Sequence, residues 1–298
     1  MRRALSALLV LAAVSPPIHA RQDGKAADLR GRLGARLNAV ADGLDGVMGF
    51  AIAGLESDER FERLANEVFP TASTIKLAIL YELFRQADEG RIQLDERKVL
   101  DRASAVGGTG ILAELTTPSL SIRDYATLMI VLSDNTATNV LIDVLGMGAV
   151  TRRMASLGLT HTRLRRKMID LDAARRGDEN VSTPAELARL LAVIYRGEGL
   201  SERSREALAT ILRKPKGSPM RSAIPDEVGV ANKPGTLEGV EVDAGIVFVK
   251  GRPYAQAMMT TYLKDNAAGE AAIRTASRAA FEYFNRLASS SEYGRAIR

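Results

Sequence analysis

The chain has no cysteine, no tryptophan and only two histidines, His19 and His161, in 298 residues. Each scarcity removes a class of chemistry. Without cysteine there is no disulfide framework, no thiol nucleophile, no zinc–thiolate site and no lipid attachment to an N-terminal cysteine. A Ser-His-Asp triad would have to rest on His161, which follows a helix end in Leu157-Gly-Leu-Thr-His-Thr162. No G-x-S-x-G elbow and no H-E-x-x-H motif accompany it, so zinc ligands are lacking too. Gly107-Gly108-x-Gly110 is followed by no P-loop lysine and reads as a turn. No cofactor or metal is expected.

Long apolar runs are also missing. A bilayer span takes about 20 apolar residues, and the run Ala4 to Val14 is shorter than that. It follows Arg2 and Arg3, is broken by Pro16-Pro17, and leads to a small residue at Ala20. That order is a secretory leader, expected over residues 1–20 with cleavage after Ala20. The mature protein is then exported, periplasmic or secreted, with no stable membrane association. The formal charge of +5 loses Arg2 and Arg3 with the leader, and the remaining +3 is modest. Basic residues cluster at Arg152-Arg153 and Arg163 to Lys167, which read as solvated surface; no nucleic-acid partner is expected.

The composition that remains, 46% hydrophobic and 26% charged, is that of a globular protein. Ala26 to Val40 reads as an amphipathic helix, and Val47 to Ala53 and Phe61 to Ala65 as strands. From Thr74 to about Arg213 the pattern is nearly all helical. Ser121-x-x-Asp124 forms a capping box. Thr183-Pro184 with Glu186 makes an N-cap followed by proline at the first helical position. Ser201 caps a further helix. Strands return at Asp243 to Val249 and Tyr254 to Leu263, and a helix over about Ala267 to Leu287 closes the chain. The expected fold is α+β, an α/β sandwich: an antiparallel sheet from both chain ends (21–66 and 215–298) covered by terminal helices, beside an all-helical subdomain (67–214), with the active site between them.

Three short motifs carry chemistry. Ser73-Thr-Ile-Lys76 places a serine and a lysine on one helix face. A lysine desolvated there can lose its proton and accept that of the Ser73 hydroxyl. Ser73 at the helix start also has free N–H groups suited to an oxyanion. Ser133-Asp-Asn135 falls between two helices. Ser133 is placed to relay a proton to a leaving nitrogen and Asn135 to hold a substrate amide, while Asp134 braces the loop; a plain N-cap explains the same triplet. Lys233-Pro-Gly-Thr236 follows a short strand, Gly229 to Asn232. Lys233 would attract a carboxylate, Gly235 would admit a substrate backbone and the Thr236 N–H would be a second oxyanion donor; an ordinary turn is the plainer alternative.

In this order the motifs resemble the S-x-x-K, S-D-N and K-T-G set of the class A β-lactamase family, within the β-lactamase and penicillin-binding serine hydrolases. Phe69-Pro-Thr-Ala-Ser-Thr-Ile-Lys76, Leu132-Ser-Asp-Asn-Thr-Ala-Thr-Asn139 and Met220-Arg-Ser-Ala-Ile-Pro225 are similar to that family as well. The resemblance implies an acyl-enzyme mechanism at Ser73, a β-lactam or D-alanyl peptide as small-molecule substrate, and a monomer. It also shows departures. Met168 stands where the family carries the Ω-loop glutamate that activates the deacylating water, and methionine cannot be a base. Asp170 and Asp172 lie close by, and Asp172 is the candidate substitute base; pairing with the loop arginines is the alternative. Pro234 removes a usual hydroxyl, and Asp243-Ala-Gly245 lacks an arginine found in many relatives. Two readings follow: a β-lactamase, or a penicillin-binding-type D,D-peptidase, esterase or β-lactam sensor that acylates but deacylates slowly.

Overall fold

The computed structural model describes residues 19–116 and 118–297. Most of the expected leader therefore lies outside the described residues. Helix α1 (His19–Asp42) leads into strands β1 (Val47–Gly54), β2 (Arg60–Arg63) and β3 (Phe69–Pro70), then helix α2 (Lys76–Asp88). The middle of the chain holds β4 (Arg97–Val99), β5 (Ser119–Ser121), α3 (Ile122–Val131), α4 (Asn135–Leu145), α5 (Met147–Ser156), α6 (Leu171–Arg175), β6 (Val181–Ser182), α7 (Pro184–Arg196) and α8 (Glu202–Arg213). The last section is α9 (Pro219–Ser222), β7 (Val230–Leu237), β8 (Val240–Val247), β9 (Tyr254–Thr261) and α10 (Asn266–Ala288).

The main sheet is antiparallel in the order β2-β1-β9-β8-β7, so both chain ends build it. Side chains alternate faces with period two. Met48, Phe50 and Ile52 of β1 and Tyr254 and Met258 of β9 pack with Leu33 and Leu37 of α1 and Ile273, Ala280 and Phe284 of α10. Tyr254 stacks on Phe284 with ring centroids 4.2 Å apart. The residues between them, Ala51, Ala255, Ala257 and Met259, join Ala244 and Ile246 in the second core, with α2, α3, α4 and α7. The cleft opens where β7 passes the helical middle.

Helix α2 is apolar nearly all round and buried along its length, which fixes it as the axis of that second core. Its buried Glu82 is neutralised by Arg153 Nε at 2.6 Å and accepts from Gln86. The capping box at Ser121 and Asp124 forms, Thr183 caps α7 through the Glu186 N–H, and Gly146 ends α4 at φ +79°. A left-handed residue there costs glycine little.

Three expectations change. The segment 67–214 is not all helix: β3 pairs β6, and β4 pairs β5, because the polar connections satisfy their backbone groups on each other. Helix α1 runs longer than its apolar periodicity, with residues 24–28 exposed ahead of its core positions Leu33 and Leu37. Strand β7 does not stop at Asn232 but continues through Lys233, Pro234, Gly235 and Thr236 to Leu237. Pro234 lacks a donor, yet β7 is the sheet edge, where a missing N–H is tolerated.

Candidate active site

Ser73 lies in a 3₁₀ turn, Ala72–Ile75, just ahead of α2 rather than within it. Thr71 anchors that turn: its N–H and hydroxyl both donate to the Asn180 carbonyl, at 2.9 and 3.0 Å. Strand β7 presses on the turn from the sheet side. A Cβ on Gly235 would stand 2.6 Å from the Ser73 nitrogen, so only glycine lets the strand lie this close.

The cleft over this turn encloses about 360 Å³. Ser73, Ser133, Asn135, Lys233, Gly235 and Thr236 all line it. Lys76 begins α2 and is fully buried beneath them. Its Nζ donates to the Ser133 carbonyl at 2.7 Å, to Ser133 Oγ at 3.0 Å and to Asn135 Oδ1 at 3.2 Å. Lys233 Nζ reaches the same Ser133 Oγ at 3.1 Å and the Pro234 carbonyl at 2.8 Å. Ser133 Oγ in turn donates to Ser73 Oγ at 3.0 Å. The direct transfer from Ser73 to Lys76 that the sequence suggests is bridged here by Ser133 Oγ, which bonds both side chains.

Burial and a neighbouring like charge both disfavour the charged form of a lysine. Burial, and then the nearby Lys233, hold Lys76 well below the ordinary lysine value. Burial pushes Lys233 down to about 7, against a partial upward pull from Asp243. Asp243 itself is buried on the other face of the sheet, where it accepts from Asn232 Nδ2 at 2.8 Å and from the Met220 N–H at 3.0 Å.

The Ser133-Asp-Asn135 turn is held from below. The Asp134 carboxylate caps α4 through the Ala137 N–H and accepts from the Ile111 and Leu112 N–H groups at 2.7 and 2.9 Å. Asn135 Nδ2 donates to the Gly107 carbonyl. Among the described residues, five non-glycine residues have positive φ, and three of them (Ala72, Ser133 and Ile169) line this cleft. Such strain collects where surrounding structure over-determines a site.

The loop from Arg163 to Val181 is closed at its neck by mutual backbone bonds between those two residues. Met168 lies in this loop, buried and lining the cleft. Asn139 pins it, donating to its carbonyl and accepting from its N–H. Asp172 does not reach the cleft. It lies on the outer side of α6, its side chain 77% exposed and ion-paired with Arg175. Asp170 caps α6 through the Ala173 N–H. The candidate base is therefore corrected: helix α6 turns Asp172 toward solvent. The one carboxylate among the described lining residues is Glu179, paired with Arg166 at 2.9 Å. Sequence reasoning missed this pair, and also Thr109 and Gly108 on the opposite wall; the glycine cluster at 107–110 was their signal.

A model of the beta-lactamase enzyme family matches residues 32–284. The chain belongs to this family. As a member of that enzyme family it is a hydrolase. The imipenem-hydrolyzing beta-lactamase of Enterobacter cloacae is 29% identical over 217 residues, covering 70% of this chain and 74% of that protein. A crystal structure of a beta-lactamase from Sphaerobacter thermophilus is 32% identical with a TM-score of 0.77, covering 84% of this chain and 96% of the other. The structure of PBP-A is 29% identical with a TM-score of 0.79, covering 87% and 97%. Among the described residues, no helix is long and apolar enough to cross a membrane.

Proposed function

We propose that this beta-lactamase family member opens β-lactam rings by acylation at Ser73, and that release of the acyl group is its slow step. The carrying observation is the convergence of Lys76 and Lys233 on Ser133 Oγ, which itself touches Ser73 Oγ. Ser73 Oγ attacks the lactam carbonyl, and its proton passes through Ser133 to a neutral lysine. The N–H groups of Ser73 and Thr236 receive the oxyanion. Ser133 then returns a proton to the ring nitrogen as the C–N bond breaks. Lys233, when charged, draws the substrate carboxylate, and Asn135 has one N–H left for the substrate amide.

Hydrolysis of the resulting ester needs an activated water. Met168 supplies no base, and Glu179 is occupied by Arg166. That arrangement favours the second reading, a penicillin-binding-type enzyme that also takes D-alanyl peptides or esters and holds β-lactams as long-lived adducts. The likeness to PBP-A supports it. The exported state, periplasmic or secreted, is part of the same proposal and rests on the leader expected at residues 1–20, and the monomeric state rests on the family resemblance. Intact-mass measurement with penicillin G tests the reading: a lasting gain at Ser73 supports it, and no gain defeats it.

A further inference from the structure

Acylation here needs one neutral lysine, to take the Ser73 proton, and one charged lysine, to draw a carboxylate. Lys76 and Lys233 are both buried and both reach Ser133 Oγ. Burial disfavours charge on each alike, so a further influence has to separate them. Lys233 points to the cleft side of the sheet, and its chain neighbours Asn232 and Pro234 face the other way. Asp243 is the cross-strand partner of Pro234 and accepts from Asn232 Nδ2. It thus lies behind Lys233, bracketed by that residue's two neighbours. Asp243 is fully buried, and its donors (Asn232 Nδ2, the Met220 N–H and the Ser218 hydroxyl) are all neutral. A buried carboxylate is costly unless a cation answers it, and among the described residues none touches this one.

The other charges around Lys233 have their own engagements. Lys76 of α2 is answered by Asp134. Glu241 of β8 accepts from the Thr236 hydroxyl and Asn266 Nδ2. Arg213 of α8 lies over the Phe248 ring. Arg221 of α9 is spent on Asp226 and the carbonyls of Ile224, Pro225 and Val228. Across the cleft, Arg166 and Glu179 hold each other. Lys216 is different. It sits half-buried in the link between α8 and α9, its Nζ on the Leu212 and Lys214 carbonyls at 2.7 and 2.8 Å, with no carboxylate in contact among the described residues.

We propose that Asp243 and Lys216 are positioning residues that set the charge of Lys233 from outside the cleft. The Asp243 carboxylate holds the ammonium charge on Lys233, Lys216 opposes it, and Lys76 is left as the neutral lysine that takes the Ser73 proton. The inference rests on acylation at Ser73. Asp243 draws Lys233 toward its charged form and Lys216 pushes it away. A charged Lys233 in turn disfavours charge on Lys76. Environments that drive two titratable groups apart in this way divide the acid and base roles between them.

The test follows the second-order acylation rate with penicillin G, read by intact mass, across the neutral and alkaline range. The native rate is expected to fall as Lys233 loses its charge. Asp243→Asn and the smaller Asp243→Ser keep a hydrogen-bond acceptor but lose the charge, so that fall should begin lower by about half a pH unit or more. Lys216→Met removes a like charge and should move the fall upward. With an uncharged ester none of the three should shift the profile. Loosened packing lowers the rate at every pH alike and does not produce two opposite shifts. An unmoved fall in a folded Asp243 variant or in Lys216→Met overturns the inference, as does a native protein that is acylated with no fall at all; the Ser73 reading survives each of these. Failure of the native protein to be acylated at any pH defeats the Ser73 reading, and this inference with it.

Discussion

The Ser133 hydroxyl stands 3.0 Å from the Ser73 hydroxyl and is the point where both lysine ammonium groups meet. Proton traffic in this site therefore runs through a serine rather than straight to a lysine. Ser133→Ala should slow acylation by about 10²–10⁴-fold, the range for loss of one positioned proton-transfer group. Stopped-flow or mass-resolved acylation rates check it. A variant within threefold of native would place the proton path elsewhere.

The pH dependence follows from the two lysines. A neutral lysine is needed to accept the Ser73 proton, and a charged Lys233 is needed to draw a carboxylate. Lys233 is pushed down to about 7 from 10.5, so its charge is lost as pH rises through about 7. The second-order acylation rate for a penicillin should fall above that pH, and the fall should be absent for an uncharged ester substrate. The same shift bears on stability. Between about 7 and 10.5 the unfolded chain binds the Lys233 proton and the folded chain does not, so this group favours folding increasingly as pH rises through that window. Lys233→Met should flatten that part of the melting-temperature profile.

Gly235 and Ser73 are in direct backbone apposition. Gly235→Ala adds a Cβ 2.6 Å from the Ser73 nitrogen, and neither backbone can yield easily. Overpacking of this kind costs about 1–3 kcal/mol. Thermal melts should show that loss, and acylation should fall by at least tenfold because the Ser73 N–H and β7 are forced apart.

Met168 and Asp172 give opposite expectations. Met168→Glu puts a carboxylate on the cleft wall and should shorten the life of the acyl-enzyme by at least tenfold. Asp172→Asn should change neither acylation nor release by more than twofold, since that side chain points to solvent. Decay of the adduct mass after removal of free β-lactam reads both. A loss of release in Asp172→Asn would mean that α6 rearranges during turnover.

Much of this was legible in the chain itself. Caps at Ser121, Thr183 and Ser201 announce their helices because a side-chain oxygen satisfying an orphan N–H is a local event. The sheet strands announce themselves by β-rich runs bounded by turn residues. What was not legible depends on contacts far apart in sequence. The extension of β7 through Pro234 is set by its place at the sheet edge, and the 3₁₀ turn at Ser73 by Asn180 holding Thr71. Asp172 could not be separated from a true base by spacing alone, because a five-residue helix, Leu171–Arg175, decides which way it faces. Glu179 and Arg166 sit thirteen positions apart and meet only when the loop closes.

The most direct test of the account is the intact mass of the mature protein over time with penicillin G, with release of the opened product followed in parallel. The account predicts stoichiometric addition of one penicillin to Ser73, a burst of ring opening of one equivalent with no matching burst of released product, slow decay of the adduct, and no addition in Ser73→Ala. Addition in Ser73→Ala, or no addition to the native protein, would contradict it.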